Sequence, residues 1–246
     1  MNFYALIIGT EILNARREDK HFKFVRDELQ KYGHELFASF ILKDDEELIK
    51  NTLKLIKNDK NSILFSFGGI GSTPDDLTRA IAADVFTSKP LQRHKEFEKN
   101  IIEKFKDEAY PHRIHMSDLP VDAELIFNPI NNMSGFSLEG RFFFVPGFPV
   151  MAHPMISDVI KKLCKEKIKK FRKTLLAQTS ENTLITQMKL IPPHIELSSL
   201  PIFRDAKANV ELSLIGSDEK EVQKYFQIFI DELTSRDINY EITSGV

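Results

Sequence analysis

The stretch SILFSFGGIGSTPDDLT, Ser62–Thr78, constrains this chain more than any other. Ile63–Phe67 is a short apolar run of the kind that forms a buried strand. It ends at Gly68, Gly69 and Gly71, where the backbone carries no side chains. Thr73 as N-cap and Pro74 at the first helical position then predict a helix over Pro74–Val85, with Asp75 and Asp76 in its first turn. A tight strand-to-helix turn accounts for Thr73, Pro74 and one acid. It does not account for three glycines, two acids and Thr78 in so short a span. Bare backbone entering a helix lets N–H groups approach an anion. Two carboxylates there would repel a phosphate unless a divalent cation lay between, so the pattern points to phosphate plus metal. Neither common Gly-rich fingerprint applies, since the loop has no Lys and the glycine spacing differs.

The flanking pattern supplies the fold class. Apolar runs at Phe3–Ile8, Glu35–Leu42 and Ser62–Phe67 alternate with helical spacing at His21–Tyr32 and Glu46–Lys57. Strands alternating with helices predict an α/β three-layer sandwich around a mostly parallel sheet. Ligands in such sheets bind beyond the carboxyl ends of the strands, where the glycine loop falls. Further along, Lys95–Glu108 reads as a helix, and Leu125–Pro129, Phe136–Leu138 and Arg141–Val145 as short strands. A long helix is predicted from about Val150 to about Arg172. After Thr174 the order changes to strand (Leu175–Ala177), helix (Ser180–Ile191), strands (Ile195–Leu200, Asn209–Gly216), helix (Asp218–Thr234) and strand (Ile238–Thr243). That is a small α+β domain, which divides the chain into 1–172 and 173–246.

Composition excludes several classes of function. A formal net charge of −2 over 246 residues gives no global attraction to nucleic acid or anionic membrane. The basic run Lys161–Lys173 reads as a solvated helix face, because only Phe171 is interleaved with it. Cys164 is the one cysteine, so no internal disulfide forms and no cysteine metal site is expected. The histidines show no zinc spacing. No apolar stretch is long enough to span a bilayer, and the start lacks the pattern of a signal peptide. The chain is therefore expected in the cytoplasm.

Other candidates lie at the same sheet edge. Asp44 and Asp45 follow the second strand; one of them could simply cap the next helix. Asp19, Lys20 and His21 lie between the first strand and first helix, and Glu11 follows Gly9. Taken singly these are weak signals. Grouped with Asp75 and Asp76 they suggest carboxylates around one hard divalent ion.

These segments resemble the molybdopterin-binding domain shared by molybdopterin adenylyltransferases, gephyrin-type proteins and the competence/damage-inducible protein A (CinA) family, most closely the amino-terminal part of the last. IIGTEILNARREDKHF resembles that family's first-strand motif, and GGIGSTPDDLT its Gly-Gly-x-Gly-Pro-Thr-x-Asp-Asp-x-Thr loop. LPVDAELIFNP, SGF and FVPGFPVMAHPMI resemble its later segments. SENTLITQM resembles the start of a helix in the family's small KH-like domain. The resemblance does not extend to the family's carboxyl-terminal amidase domain, so nicotinamide-nucleotide deamidation is not expected. It implies that Gly68, Gly69, Gly71, Ser72 and Thr73 hold a pyrophosphate and that Asp44 and Asp76 hold a metal or assist catalysis. Asp75 and Asp19 would line the same pocket, with Thr78 and Glu11 beside it. It also implies metal-dependent cleavage of a nucleotide pyrophosphate such as ADP-ribose or FAD, with magnesium, manganese or cobalt. Two alternatives are an adenylyltransferase-like role in molybdenum cofactor biosynthesis, with molybdopterin as ligand, and a pocket that binds nucleotide or pterin without turnover. Family members commonly self-associate, so a homo-oligomer is expected. Three residues depart from the family pattern: Thr10 stands for an acid, His21 for Asn and Ser72 for Pro.

Overall fold

The three apolar runs lie side by side as β1 (Asn2–Ile8), β2 (Leu36–Leu42) and β3 (Ser62–Phe67) in a computed structural model that describes residues 1–204 and 207–243. α1 (Thr10–Leu13) and α2 (His21–Gln30) follow β1, and α3 (Glu46–Asn58) follows β2. After β3 come α4 (Thr78–Ala82), β4 (Gln92–Arg93), α5 (Lys95–Phe105), β5 (Asp118–Leu119), β6 (Glu124–Ile126), β7 (Gly135–Leu138), β8 (Phe142–Val145) and α6 (Pro149–Leu163). The main sheet has the order β2-β1-β3-β8-β7-β6. Its first four strands are mutually parallel, while β7 runs antiparallel to both neighbours. The register pairs Ile8 with Leu42, Ile7 with Phe67, and Phe67 with Val145. Four strands thus end together, and the segments starting at Gly9, Lys43, Gly68 and Pro146 leave from one edge.

Alternation along β1 assigns its two faces. Tyr4, Leu6 and Ile8 pack with Ile49, Leu53 and Ile56 of α3 and with Ile81 and Ile101. Phe3 and Ile7 pack on the opposite side with Val25 and Leu29 of α2 and Met155, Ile156 and Ile160 of α6. Two buried clusters on opposite faces make this the expected three-layer α/β sandwich.

The chain separates into two compact units, Met1–Lys167 and Ile168–Val246, a few residues before the boundary expected from the sequence. The long helix predicted to reach Arg172 stops at Leu163. Cys164 N–H closes the final turn on Ile160 O at 2.8 Å, and the next residues offer only Ile168, which is exposed, as an apolar anchor. Phe171–Lys173 then belong to a strand. The second unit holds β9 (Phe171–Ala177), α7 (Ile185–Met188), β10 (Glu196–Arg204), β11 (Lys207–Gly216), α8 (Glu219–Ser235) and β12 (Tyr240–Thr243), with an antiparallel sheet of order β10-β11-β9-β12. The helix expected over Ser180–Ile191 is a 3-10 turn at Glu181–Leu184 followed by the short α7. Asn182 and Thr183 are weak helix formers, and the Thr183 hydroxyl meets Thr179 Oγ1 at 2.7 Å. Among the described residues no helix is long and apolar enough to cross a membrane.

Candidate functional site

A cavity of about 520 Å³ opens at the edge where the parallel strands end. It is lined by nine residues singled out from the sequence: Glu11, Asp44, Gly68, Gly69, Gly71, Ser72, Thr73, Asp75 and Asp76. Asp45 does not join them. Its carboxylate accepts from Leu48 N–H at 2.8 Å and caps α3, which leaves Asp44 to the cavity.

The glycine loop is built differently from the sequence expectation. The helix begins at Thr78, so Thr73 is not its N-cap, Pro74 is not its first residue, and Asp75 and Asp76 are outside it. Asp76 is the cause. Its Oδ1 accepts from Gly71 N–H at 2.7 Å, and its Oδ2 from Thr73 N–H at 2.8 Å and the Thr73 hydroxyl at 2.5 Å. A carboxylate drawing in three donors closes the chain into a compact loop instead of a helical turn.

Thr78 does not line the cavity. It is fully buried beneath the loop, donating its hydroxyl to Gly68 O at 3.1 Å and its N–H to Gly69 O at 3.0 Å. Two of the glycines follow from these approaches. Gly68 has φ +99° and a Cβ there would sit 2.3 Å from Ile8 O; Gly69 has φ +70° and a Cβ would sit 2.2 Å from Thr78 Oγ1.

Asp19 does not reach the main cavity either. Its carboxylate accepts from the N–H groups of His21 at 2.8 Å and Phe22 at 3.0 Å, starting α2. It borders an adjoining cavity of about 360 Å³, which shares Glu11, Arg17 and Gly147 with the first. His21 is buried and donates from Nε2 to Gly147 O at 3.1 Å. Its ring stacks on Phe67 with centroids 4.2 Å apart and meets His153 edge-on at 5.3 Å. Burial lowers the pKa of both imidazoles, that of His153 to about 4.

Asp44 is tied to the first loop. Its Oδ2 accepts from both the N–H and the hydroxyl of Thr10, each at 2.8 Å. Thr10 thus fills by hydrogen bonding a place where a second carboxylate would instead repel Asp44.

Sequence reasoning missed the cations and the apolar wall. Arg17 and Arg113 line the cavity, the latter stacked on Phe105 at 4.7 Å, together with Phe97, Met116, Met133 and Phe148. No local motif marks Arg17, in the bend that follows α1, or Arg113, at the start of a 3-10 turn over Arg113–Ser117. Arg79 was also missed, since an arginine in a short helix reads from sequence as solvent-facing, whereas here it is buried. Its side chain is almost wholly buried under the loop and donates from Nη1 to Ile70 O at 2.5 Å and to Gly71 O. Burial lowers the guanidinium pKa, opposed by the charges of Asp76 and Asp118.

Among the described residues no three His, Cys, Asp or Glu side chains form a metal cluster by themselves. The cavity is nonetheless rich in carboxylates. Glu11, Asp44, Asp75 and Asp76 stand against Arg17 and Arg113, so carboxylates outnumber guanidiniums on its walls. A small hard ion of the magnesium type is bound by one or two carboxylates plus phosphate oxygens and water. Asp44 and Asp76 are the carboxylates of this wall tied to the loops, Asp76 with both oxygens already accepting from Gly71 and Thr73.

A family model described as a probable molybdopterin binding domain matches residues 4–166. A CinA-like protein of Flavobacterium psychrophilum is 26% identical over 248 residues, covering 92% of this chain and 57% of that protein. A CinA-like protein of Acaryochloris marina is 31% identical over 157 residues, covering 61% of this chain and 37% of its own length. The chain spans about half the length of such curated relatives. In three dimensions it resembles the crystal structure of the protein CinA with unknown function from Thermoplasma acidophilum. The TM-score is 0.59 at 23% identity, over 66% of this chain and 97% of that one.

Proposed function

The chain belongs to the molybdopterin-binding-domain family, and from that premise we propose that its cavity binds a small nucleotide pyrophosphate and hydrolyses the P–O–P bond with the help of a divalent metal. One observation carries this reading: a glycine loop, four carboxylates and two guanidiniums share one cavity with an apolar aromatic wall. Phe105 and Phe148 suit the flat face of a base, while Arg17 and Arg113 suit phosphate oxygens. A divalent ion held by Asp44 and Asp76 would supply neutralisation of charge gathering on the phosphates. The protein's own groups do the rest. Arg17, Arg113 and the loop backbone hold the phosphates in place, and Asp44 orients water for attack on phosphorus. Water adds to one phosphorus and the bridging P–O bond breaks, so ADP-ribose gives AMP and ribose 5-phosphate.

The test is a product screen of ADP-ribose and FAD with magnesium, manganese or cobalt. AMP release that falls at least about a hundredfold in Asp76→Asn supports the proposal. Absence of cleavage with every metal overturns it. A second reading, AMP transfer from ATP to molybdopterin, draws on the wording of the family's description and uses the same cavity. It requires an adenylylated pterin as the product.

A further inference from the structure

Two charged side chains grip the segment Ile70–Thr73, and between them they hold the peptide planes on both sides of Gly71. Asp76 takes the N–H groups of Gly71 and Thr73. Arg79 Nη1 takes the carbonyls of Ile70 and Gly71. Gly71 is therefore held by both its N–H and its C=O. In a planar trans peptide the C=O of one residue and the N–H of the next point in opposite directions. With Gly71 C=O drawn down to Arg79, the Ser72 N–H is turned away from the guanidinium. Ser72 also lines the cavity.

Arg79 is unusual for a second reason. It is 8% exposed, its Nε has no hydrogen-bond partner, and its Nη1 bonds reach carbonyls rather than a carboxylate. A buried cation without a hydrogen-bonded counter-ion is costly unless negative charge arrives from elsewhere. Asp76 and Asp118 offset part of its charge from a distance, but neither hydrogen-bonds to it: Asp76 spends its bonds on the loop, and Asp118 on Arg93 and His115. Burial still outweighs both carboxylates, and a ligand phosphate above the loop would supply further negative charge. A proline at position 72 would offer no such N–H, whereas serine offers both an N–H and a hydroxyl.

We propose that Arg79 is a positioning residue that aims the Ser72 N–H at a phosphate oxygen and supplies positive charge from beneath the loop. The inference rests on the reading that the cavity takes a pyrophosphate. It adds a donor and a buried cation that the carboxylates and glycines do not provide.

Inorganic pyrophosphate, with and without magnesium, is the probe. Calorimetry should show affinity weakened roughly tenfold or more in Arg79→Met, and by less in Arg79→Lys, which keeps the charge but not the fork. Ser72→Pro, which removes the N–H, should weaken binding about tenfold. Ser72→Ala, which removes only the hydroxyl, should weaken it by a smaller factor. With serine labelled by nitrogen-15, the Ser72 amide signal should move as pyrophosphate saturates the wild-type protein, a response that a purely structural Arg79 would not require. Thermal melting confirms that each variant is folded, and the Ser72 measurements stand alone if Arg79→Met is not. The proposal is overturned if the Ser72 amide signal stays put at saturation. It is equally overturned if folded Arg79→Met binds as tightly as wild type, or if Ser72→Pro and Ser72→Ala behave alike. Pyrophosphate that binds wild type and these variants equally removes this inference alone. Failure of wild type to bind it at all removes the functional reading as well.

Discussion

Two loops leave neighbouring parallel strands at the same sheet edge, and they are secured in opposite ways. Gly68–Leu77 is tied mainly to itself, by Asp76 across its mouth and by Thr78 and Arg79 below. Gly9–Lys20 is tied to other segments. Thr10 bonds to Asp44 beyond β2, and His21 at its far end bonds to Gly147 beyond β8. The self-tied loop can present backbone donors without help from its neighbours, which suits a fixed phosphate cradle. The cross-tied loop couples three segments, so a change there spreads to the Asp44 and Gly147 sides of the cavity. The glycine loop meets the root of the other where Gly68 approaches the O of Ile8, the last residue of β1, and that contact is the first place to break the comparison.

Gly68→Ala should have the largest effect. It forces an alanine to φ +99° and puts a Cβ 2.3 Å from a strand carbonyl. We expect about 3 kcal/mol of lost stability, a fall in melting temperature of roughly 6–12 °C, and loss of ligand binding. Gly140→Ala is the control: its φ is +63°, yet no atom lies within 4 Å of the added Cβ. It should cost only about 1 kcal/mol. Equal costs in calorimetric unfolding would show that conformation alone, and not the close approach to the end of β1, explains Gly68.

Much of this could be read from the sequence because short-range rules govern it. β3 matches the apolar run Ser62–Phe67, and the α/β layering follows from runs and helical spacings that tertiary packing had only to bring together. The glycine loop and Asp44 were legible because parallel strands deliver their ends to one edge. What could not be read depends on which partner a polar group chooses. Asp76 could have served a helix N-terminus, and nothing local shows that Gly71 and Thr73 claim it instead. Asp19 and Thr78 had the right residue types for a ligand, but spend them on α2 and on Gly68. The basic run after Leu163 looked helical by composition. Strand pairing of β9 with β11, dozens of residues away, decides its end.

Thr10→Asp tests the cross-tied loop with an intermediate effect. The substitution removes the hydroxyl donor to Asp44 and places a second carboxylate beside it. Without metal we expect about 1–2 kcal/mol of destabilisation, from like-charge repulsion and a lost hydrogen bond. With manganese or magnesium the sign should reverse: melting temperature should rise more in the variant than in wild type, and any AMP release should increase. A metal response no larger than that of wild type would mean that Asp44 does not face a cation.

The smallest effect is expected from acid, and it separates the loops by chemistry rather than by sterics. His153 of α6 stacks on Phe24 at 3.8 Å and meets the edge of His21, with Asp19 the carboxylate acting on both rings. Its pKa falls from the ordinary 6.5 to about 4 through burial, then through the neighbouring His21. The folded protein therefore binds fewer protons here than the unfolded chain between those values. The stability contribution is complete above pH 6.5 and declines as pH falls toward 4. With solvent screening at a partly exposed ring, the loss amounts to about 1 kcal/mol at pH 5, or roughly 2–4 °C in melting temperature. His153→Leu removes this titration, so its melting temperature should fall less than that of wild type between pH 7.5 and 5, whatever its stability at the upper value. The Asp76 loop has no histidine in its own hydrogen bonds, and Asp76→Asn should leave the wild-type slope over this interval in place. If Asp76→Asn flattens the slope and His153→Leu does not, the acid response belongs to the self-tied loop and the contrast between the two is lost.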